Sequence, residues 1–229
     1  MRKLILLGAA LLLLSPAAAP AQDTYHLPQA DQHWRESPRH FSAGFQVGMI
    51  FPTHDDVTDV YGTKGDAIYT LHGGWRMVHE LELHAEGAYT FYEGNGVDPT
   101  GGKTKEKYKL HIAPAEVGLL YRFAFWPDQI VVPYAAGHYV YTYWFEEKLD
   151  SADKNRGLIS GWSAQGGLML LLDDIEKRAS GRLESDWGVN NTYLVYQYKY
   201  MAVDDFGQDQ DKTLDLSAQV HTLGVTFQF

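Results

Sequence analysis

Residues 80–91 read Glu-Leu-Glu-Leu-His-Ala-Glu-Gly-Ala-Tyr-Thr-Phe. In an extended chain Leu81, Leu83, Ala85, Gly87, Tyr89 and Phe91 share one face, and Glu80, Glu82, His84, Glu86, Ala88 and Thr90 share the other. Side chains alternate across a strand but recur every three to four residues on a helix, so this period of two predicts a β-strand with one apolar and one polar face.

The same alternation extends outward in both directions. Toward the N-terminus, Phe41, Ala43, Phe45, Val47, Met49 and Phe51 alternate with small or polar residues, and Ala67, Tyr69, Leu71, Gly73 and Trp75 oppose Ile68, Thr70, His72, Gly74 and Arg76. Toward the C-terminus, a fourth run sets Tyr108, Leu110 and Ile112 on the apolar face and then Val117, Leu119, Tyr121 and Phe123. That phase slip predicts a β-bulge near Ala113-Pro114-Ala115. Tyr139, Tyr141, Tyr143 and Phe145 line the fifth run, Trp162, Ala164, Leu168 and Leu170 the sixth, Leu194, Tyr196, Tyr198 and Tyr200 the seventh, and Leu223, Val225, Phe227 and Phe229 the eighth.

Eight such runs, with expected long connections at 52–65, 92–107, 146–158 and 204–213 and shorter ones between, predict an all-β fold: an eight-stranded antiparallel transmembrane β-barrel with short periplasmic turns and longer extracellular loops. Lipid leaves no water to satisfy an open sheet edge, so a membrane-inserted sheet must close. The third turn, 173–191, is the exception in length, and Asp173 to Ala179 suggest a short helix there.

Residues 1–21 carry Arg2 and Lys3, an apolar run from Leu4 to Leu14, and Ala19-Pro20-Ala21. This is the pattern of a signal peptide cleaved after Ala21, and the run is too short to span a bilayer as a helix. Residues 22–40 read as a polar periplasmic tail and 41–229 as the barrel. From residue 22 onward 17 Lys and Arg face 29 Asp and Glu, a net charge of −12 that argues against nucleic acid as a partner. The chain has no Cys, which excludes disulfides, thiolate metal sites and an acylated N-terminal Cys.

The polar faces predict a charged lumen built from Arg76, Glu80, Glu82, His84, Glu86, Lys109, His111, Glu116 and Arg122, with Arg122 and Glu82 at the periplasmic end. An eight-stranded interior is just wide enough for side chains, so the expected role of these charges is to pair with one another and fill the barrel. Carboxylates beside His84 and His111 could also bind a metal or act as acid and base. However, the period of two spreads them along the wall and no His-Glu-x-x-His spacing occurs, so no metal, cofactor or catalytic residue is assigned. Tyr89, Tyr92, Tyr141, Tyr143, Trp144, Trp75 and Trp126 read as interfacial girdles.

Several phrases resemble the small outer-membrane-protein-W-like barrels: Val132-Pro133-Tyr134-Ala135-Ala136-Gly137, Asp204-Asp205-Phe206-Gly207 and Asp215-Leu216-Ser217. The C-terminal Phe229, with Phe227 and Val225 at alternate positions before it, is similar to the strand that the barrel-assembly machinery recognises. The resemblance implies the outer membrane of a Gram-negative bacterium, with outer-membrane lipid, lipopolysaccharide and that machinery as partners. It also implies a structural role or the passage of small, even apolar, molecules. Two other readings stand beside it. One is a lipid A-modifying enzyme, for which Ser217, His221 and His138 are the candidate residues, and the other is adhesion or docking through acidic loops.

Overall fold

The computed structural model describes residues 40–62, 64–97, 102–125, 129–148, 154–173, 187–208 and 214–229. The expected signal peptide, the tail up to residue 39, Trp126 and the expected helix beyond Asp173 lie outside the described residues. Eight strands run in chain order: β1 (Phe41–Pro52), β2 (Asp66–Arg76), β3 (Leu81–Val97), β4 (Lys103–Arg122), β5 (Val131–Lys148), β6 (Lys154–Leu171), β7 (Asn191–Ala202) and β8 (Ala218–Gln228). Each pairs antiparallel with its neighbours, and β8 returns to β1, so the sheet closes into a barrel with no free edge. Phe41 and Phe229 exchange backbone hydrogen bonds, which brings the first and last strands together at what we call the terminal end.

At the other, loop end, a short helix α1 (Asp55–Tyr61) of about two turns follows β1. Val57 from this helix is 1% exposed and packs on an apolar cluster that includes Ile68, Tyr92, Leu110 and Val140. The Tyr61 hydroxyl donates to Glu146 Oε1 at 2.5 Å, and burial, reinforced by that bond, raises the phenol well above its ordinary pKa, so it stays a donor. A second apolar cluster, of Leu120, Val132, Tyr134, Met169 and Val195, fills the lumen toward the terminal end. The outer wall carries large apolar side chains on every strand, among them Phe45, Leu71, Leu83, Leu119, Tyr141, Trp162, Tyr196 and Leu223, all of them exposed.

Three expectations need correction. No bulge occurs at Ala113-Pro114-Ala115: the pairing of β4 with β3 keeps one register from Leu81↔Tyr121 to Asn95↔Lys107, shifting beyond it between Asn95 and Val97, and its pairing with β5 keeps one register from Tyr108↔Lys148 to Arg122↔Tyr134. Leu110 and Ile112 therefore point inward, at 1% and 5% exposure, with Pro114, Glu116, Leu120 and Arg122 on the same face, because the loop half of the lumen is apolar. The polar stretches expected as long loops at 92–107 and 146–158 are largely strand, since β3, β4, β5 and β6 continue beyond the apolar wall. There they are held by cross-strand ion pairs such as Lys109–Glu93 (3.1 Å), Lys148–Glu106 (2.7 Å) and Lys154–Glu147 (2.5 Å). Finally, Tyr92 and Trp144 pack on the lumenal cluster and are not girdle residues, as their position in the alternation requires.

Candidate functional site

The polar faces of the strands meet between the two apolar clusters. Glu82, His84 and Glu86 on β3, Glu116 and Arg122 on β4, His138 on β5, Ser163 and Gln165 on β6 and Gln197 and Lys199 on β7 are all buried, each at 5% exposure or less. Lys199 crosses the barrel to donate to Glu86 and, at 2.7 Å, to Glu116 on the opposite wall. Glu116 also accepts from the Ser163 hydroxyl at 2.5 Å. Arg122 donates to Glu82, whose second oxygen accepts from Ser42 on β1 at 2.6 Å.

A chain of imidazoles crosses the same layer. His72 Nε2 lies 2.8 Å from Thr226 Oγ1, its ring is 5.5 Å from that of His84, and His84 Nδ1 lies 3.0 Å from His138 Nε2. His138 Nδ1 is 3.9 Å from Glu116, too long for a hydrogen bond but close enough for charge to be felt. Glycine makes room for these groups: a Cβ on Gly74 would meet Glu82 Oε1 at 1.7 Å, and one on Gly44 would meet His72 Nε2 at 2.4 Å. Small residues beside large polar ones let an eight-stranded lumen accept a carboxylate and an imidazole at one level.

Of the residues proposed from sequence, Glu82, His84, Glu86, Glu116 and Arg122 come together in this layer. Arg76 sits half-buried at the terminal mouth, and Glu80 lies in the β2–β3 turn, where its carbonyl accepts the Arg122 N–H at 2.7 Å. Lys109 and His111 face outward, a correction that follows from the unbroken β4. Lys109 lies over the Phe91 ring at 4.0 Å, while His111 stacks on Phe145 at 4.2 Å and bonds the Tyr89 hydroxyl at 2.6 Å. Reading one strand at a time missed His138, Lys199 and Ser163 as members of the network. Their signal was their place on the polar face of β5, β7 and β6, but their partners are set by register across the lumen.

The three residues considered for a lipid A-modifying enzyme do not converge. The Ser217 hydroxyl accepts the Val203 N–H at 3.1 Å, His221 Nδ1 lies on the outer wall 3.0 Å from the Tyr196 hydroxyl, and His138 is inside the lumen. A nucleophile needs its base within hydrogen-bond reach, and these three do not meet. Among the described residues no group of three or more His, Asp or Glu has the geometry to hold a metal ion.

No protein-family model matches the chain, and neither does any characterised protein sequence. Solved structures do. Outer membrane protein OprG from Pseudomonas aeruginosa is similar over 83% of this chain and 96% of its own, with a TM-score of 0.59 at 12% identity. Neisserial surface protein A is similar over 82% of this chain and 97% of its own, with a TM-score of 0.52 at 14% identity. The fold is that of the small eight-stranded outer-membrane barrels. At these identities the likeness concerns the architecture alone.

Proposed function

We propose that this chain is an outer-membrane barrel whose lumen is a closed, side-chain-filled core, so that it serves as a membrane-embedded scaffold and not as a pore. The observation that carries this reading is the double seal: Lys199 bonded across the barrel to Glu86 and Glu116, and above it the apolar cluster capped by Val57 of α1. The membrane setting is supported by the outer wall. From His111 to Tyr121, β4 covers roughly 34 Å at ~3.4 Å per residue. That is about 26 Å along the barrel axis at a tilt of about 40°, close to the ~25 Å apolar band of such proteins. Above that level the outward residues become the paired charges Lys109, Glu93, Glu147 and Lys154.

Planar-bilayer recordings of the purified, refolded protein test the closed lumen. The expected trace shows no sustained conductance, and stable large openings would overturn the reading. In the same proposal Phe227 and Phe229 are the signal read by the barrel-assembly machinery. Phe227 is a half-buried residue of β8, paired with Ala43 and Thr192, and Phe229 follows it at the barrel's closing seam. Deleting Phe229 should lower the amount of barrel reaching the outer membrane, and normal levels of the truncated chain would remove that role.

A further inference from the structure

At and above the level of His111, the pairing registers of β3 to β6 turn Glu93, Lys107, Lys109, Glu147, Lys154 and Arg156 to the outside of the barrel. Cations outnumber carboxylates there, on a chain whose formal charge is −10. Lys109 is matched by Glu93 at 3.1 Å and Lys154 by Glu147 at 2.5 Å. Lys107 and Arg156 are exposed, and among the described residues neither side chain has a hydrogen-bond or ion-pair partner. On the β7 side the Asp205 carboxylate is taken up by the Ser160 hydroxyl at 2.6 Å, nearer the terminal end than Arg156. An acidic protein thus keeps uncompensated positive charge on one outer face.

The position of that charge is a second observation. Arg156 pairs with Phe145, and Phe145 with His111, so all three stand on the rung where the apolar wall ends. Below them on the same face come Leu158, Tyr143 and Tyr89, all exposed. Phe91 lies under Lys109 and Phe145 under His111, so aromatic rings form the base of the charged rungs. With ~4.8 Å between strands and ~3.4 Å per residue, the area between Arg156 and Lys107 is roughly 10 Å wide and 14 Å high. That is larger than a single phosphate and suits a headgroup carrying more than one. Guanidinium and ammonium groups both make charge-assisted hydrogen bonds to phosphate oxygens.

We propose that this face docks the phosphorylated headgroup of an outer-leaflet lipid, lipid A in type, with Arg156 and Lys107 taking its phosphates and Leu158 and Tyr143 lying along its acyl chains. Continuity selects a lipid over a soluble anion: the free cations begin where the lipid-facing wall stops, on its outer side, so the bilayer itself delivers the headgroup to them. The proposal rests on the membrane band read above.

The test mixes the refolded full chain in non-ionic detergent with lipid A and follows the retained complex by native mass spectrometry, with phosphate-free lipid A and phosphatidylcholine as comparison lipids. Folding of every variant is checked by its heat-modifiable mobility on gels. Lipid A should be held at least tenfold more tightly than either comparison lipid. A cation beside an anionic lipid surface is worth a factor of about five, so Lys107→Gln combined with Arg156→Gln should weaken retention at least tenfold. Lys64→Gln, in the α1–β2 connection, removes a charge outside the patch and should change retention less than twofold. Equal retention of the phosphate-free lipid, wild-type retention by the double variant, an equal loss in Lys64→Gln, or tighter binding of soluble polyphosphate than of lipid A would each overturn the docking site. The band has its own readout. A nitroxide on Leu158→Cys in phosphatidylcholine nanodiscs should be relaxed by oxygen and not by a water-soluble nickel chelate. Relaxation by nickel would remove the band at this level and the proposal with it, whereas a lipid-buried label without phosphate-dependent retention would remove the docking site alone.

Discussion

In the loop half of β4, Leu110 and Ile112 face the lumen while Lys109 and His111 face out; nearer the terminal end the same strand turns Glu116 and Arg122 inward and Val117, Leu119 and Tyr121 outward. One uninterrupted alternation runs through both halves. What changes is the medium outside. Where the wall meets lipid, apolar side chains go out and polar ones pair within; where the strands rise beyond it into water, the ordinary soluble arrangement returns, with a dry interior and a charged exterior. The crossing, between His111 and the Tyr89–Tyr143 level, marks the upper edge of the proposed membrane band.

The largest effects should come from the polar layer, where a group left unpaired cannot reach water. Arg122→Ala strands Glu82, which is 2% exposed, and should cost on the order of 3–5 kcal/mol in a reversible urea titration of the barrel. Glu82→Ala introduced with it should recover part of that loss, because the pair acts as a unit. Strict additivity of the two changes would break the comparison, since it would mean that the lumen solvates each charge separately.

The apolar half should respond less and differently. Leu110→Ala removes a side chain that is 1% exposed among Tyr92, Ile112 and Val140, leaving a dry cavity worth roughly 2–4 kcal/mol. No second substitution in the polar layer should rescue it. A loss below ~0.5 kcal/mol would indicate that the loop half is loosely packed or hydrated, and the seal proposed above would then rest on Lys199 alone.

How much of this was legible in sequence differs between the same two regions. On β3 the alternation of Glu82, His84 and Glu86 with Leu83 and Ala85 assigned both faces, because that part of the strand lies within the apolar wall. On β4 the rule that the apolar face is the outer face failed at Tyr108–Ile112, and the supposed slip at Pro114 was an artefact of applying it above the membrane level. Proline fits there without a bulge, paired with Thr142 on β5. The helix α1 sits in a connection without apolar periodicity, where Val57 and Tyr61 anchor it against the lumenal cluster. Lys199 could be placed on a polar face, but its pairing with Glu86 and Glu116 depends on the stagger of four strands, which no single run encodes.

The smallest expected effect is the sharpest test of facing. Lys109 and Glu93 form a pair whose side chains are 25% and 61% exposed, so screening and side-chain entropy should hold the cost of Lys109→Ala below ~1 kcal/mol. A cost like that of Arg122→Ala would place Lys109 in the lumen and restore a phase slip in β4. Because the chain contains no Cys, single cysteines can be read without background. In the folded barrel, Lys109→Cys should react quickly with a water-soluble maleimide. Leu110→Cys, one residue along and turned inward, should react at least tenfold more slowly until urea unfolds the chain. Equal rates at 109 and 110 would mean that the strand has frayed at this level, and the reverse order would mean that its faces are exchanged. Only the expected order is compatible with a β4 that keeps one alternation while the solvent outside it changes.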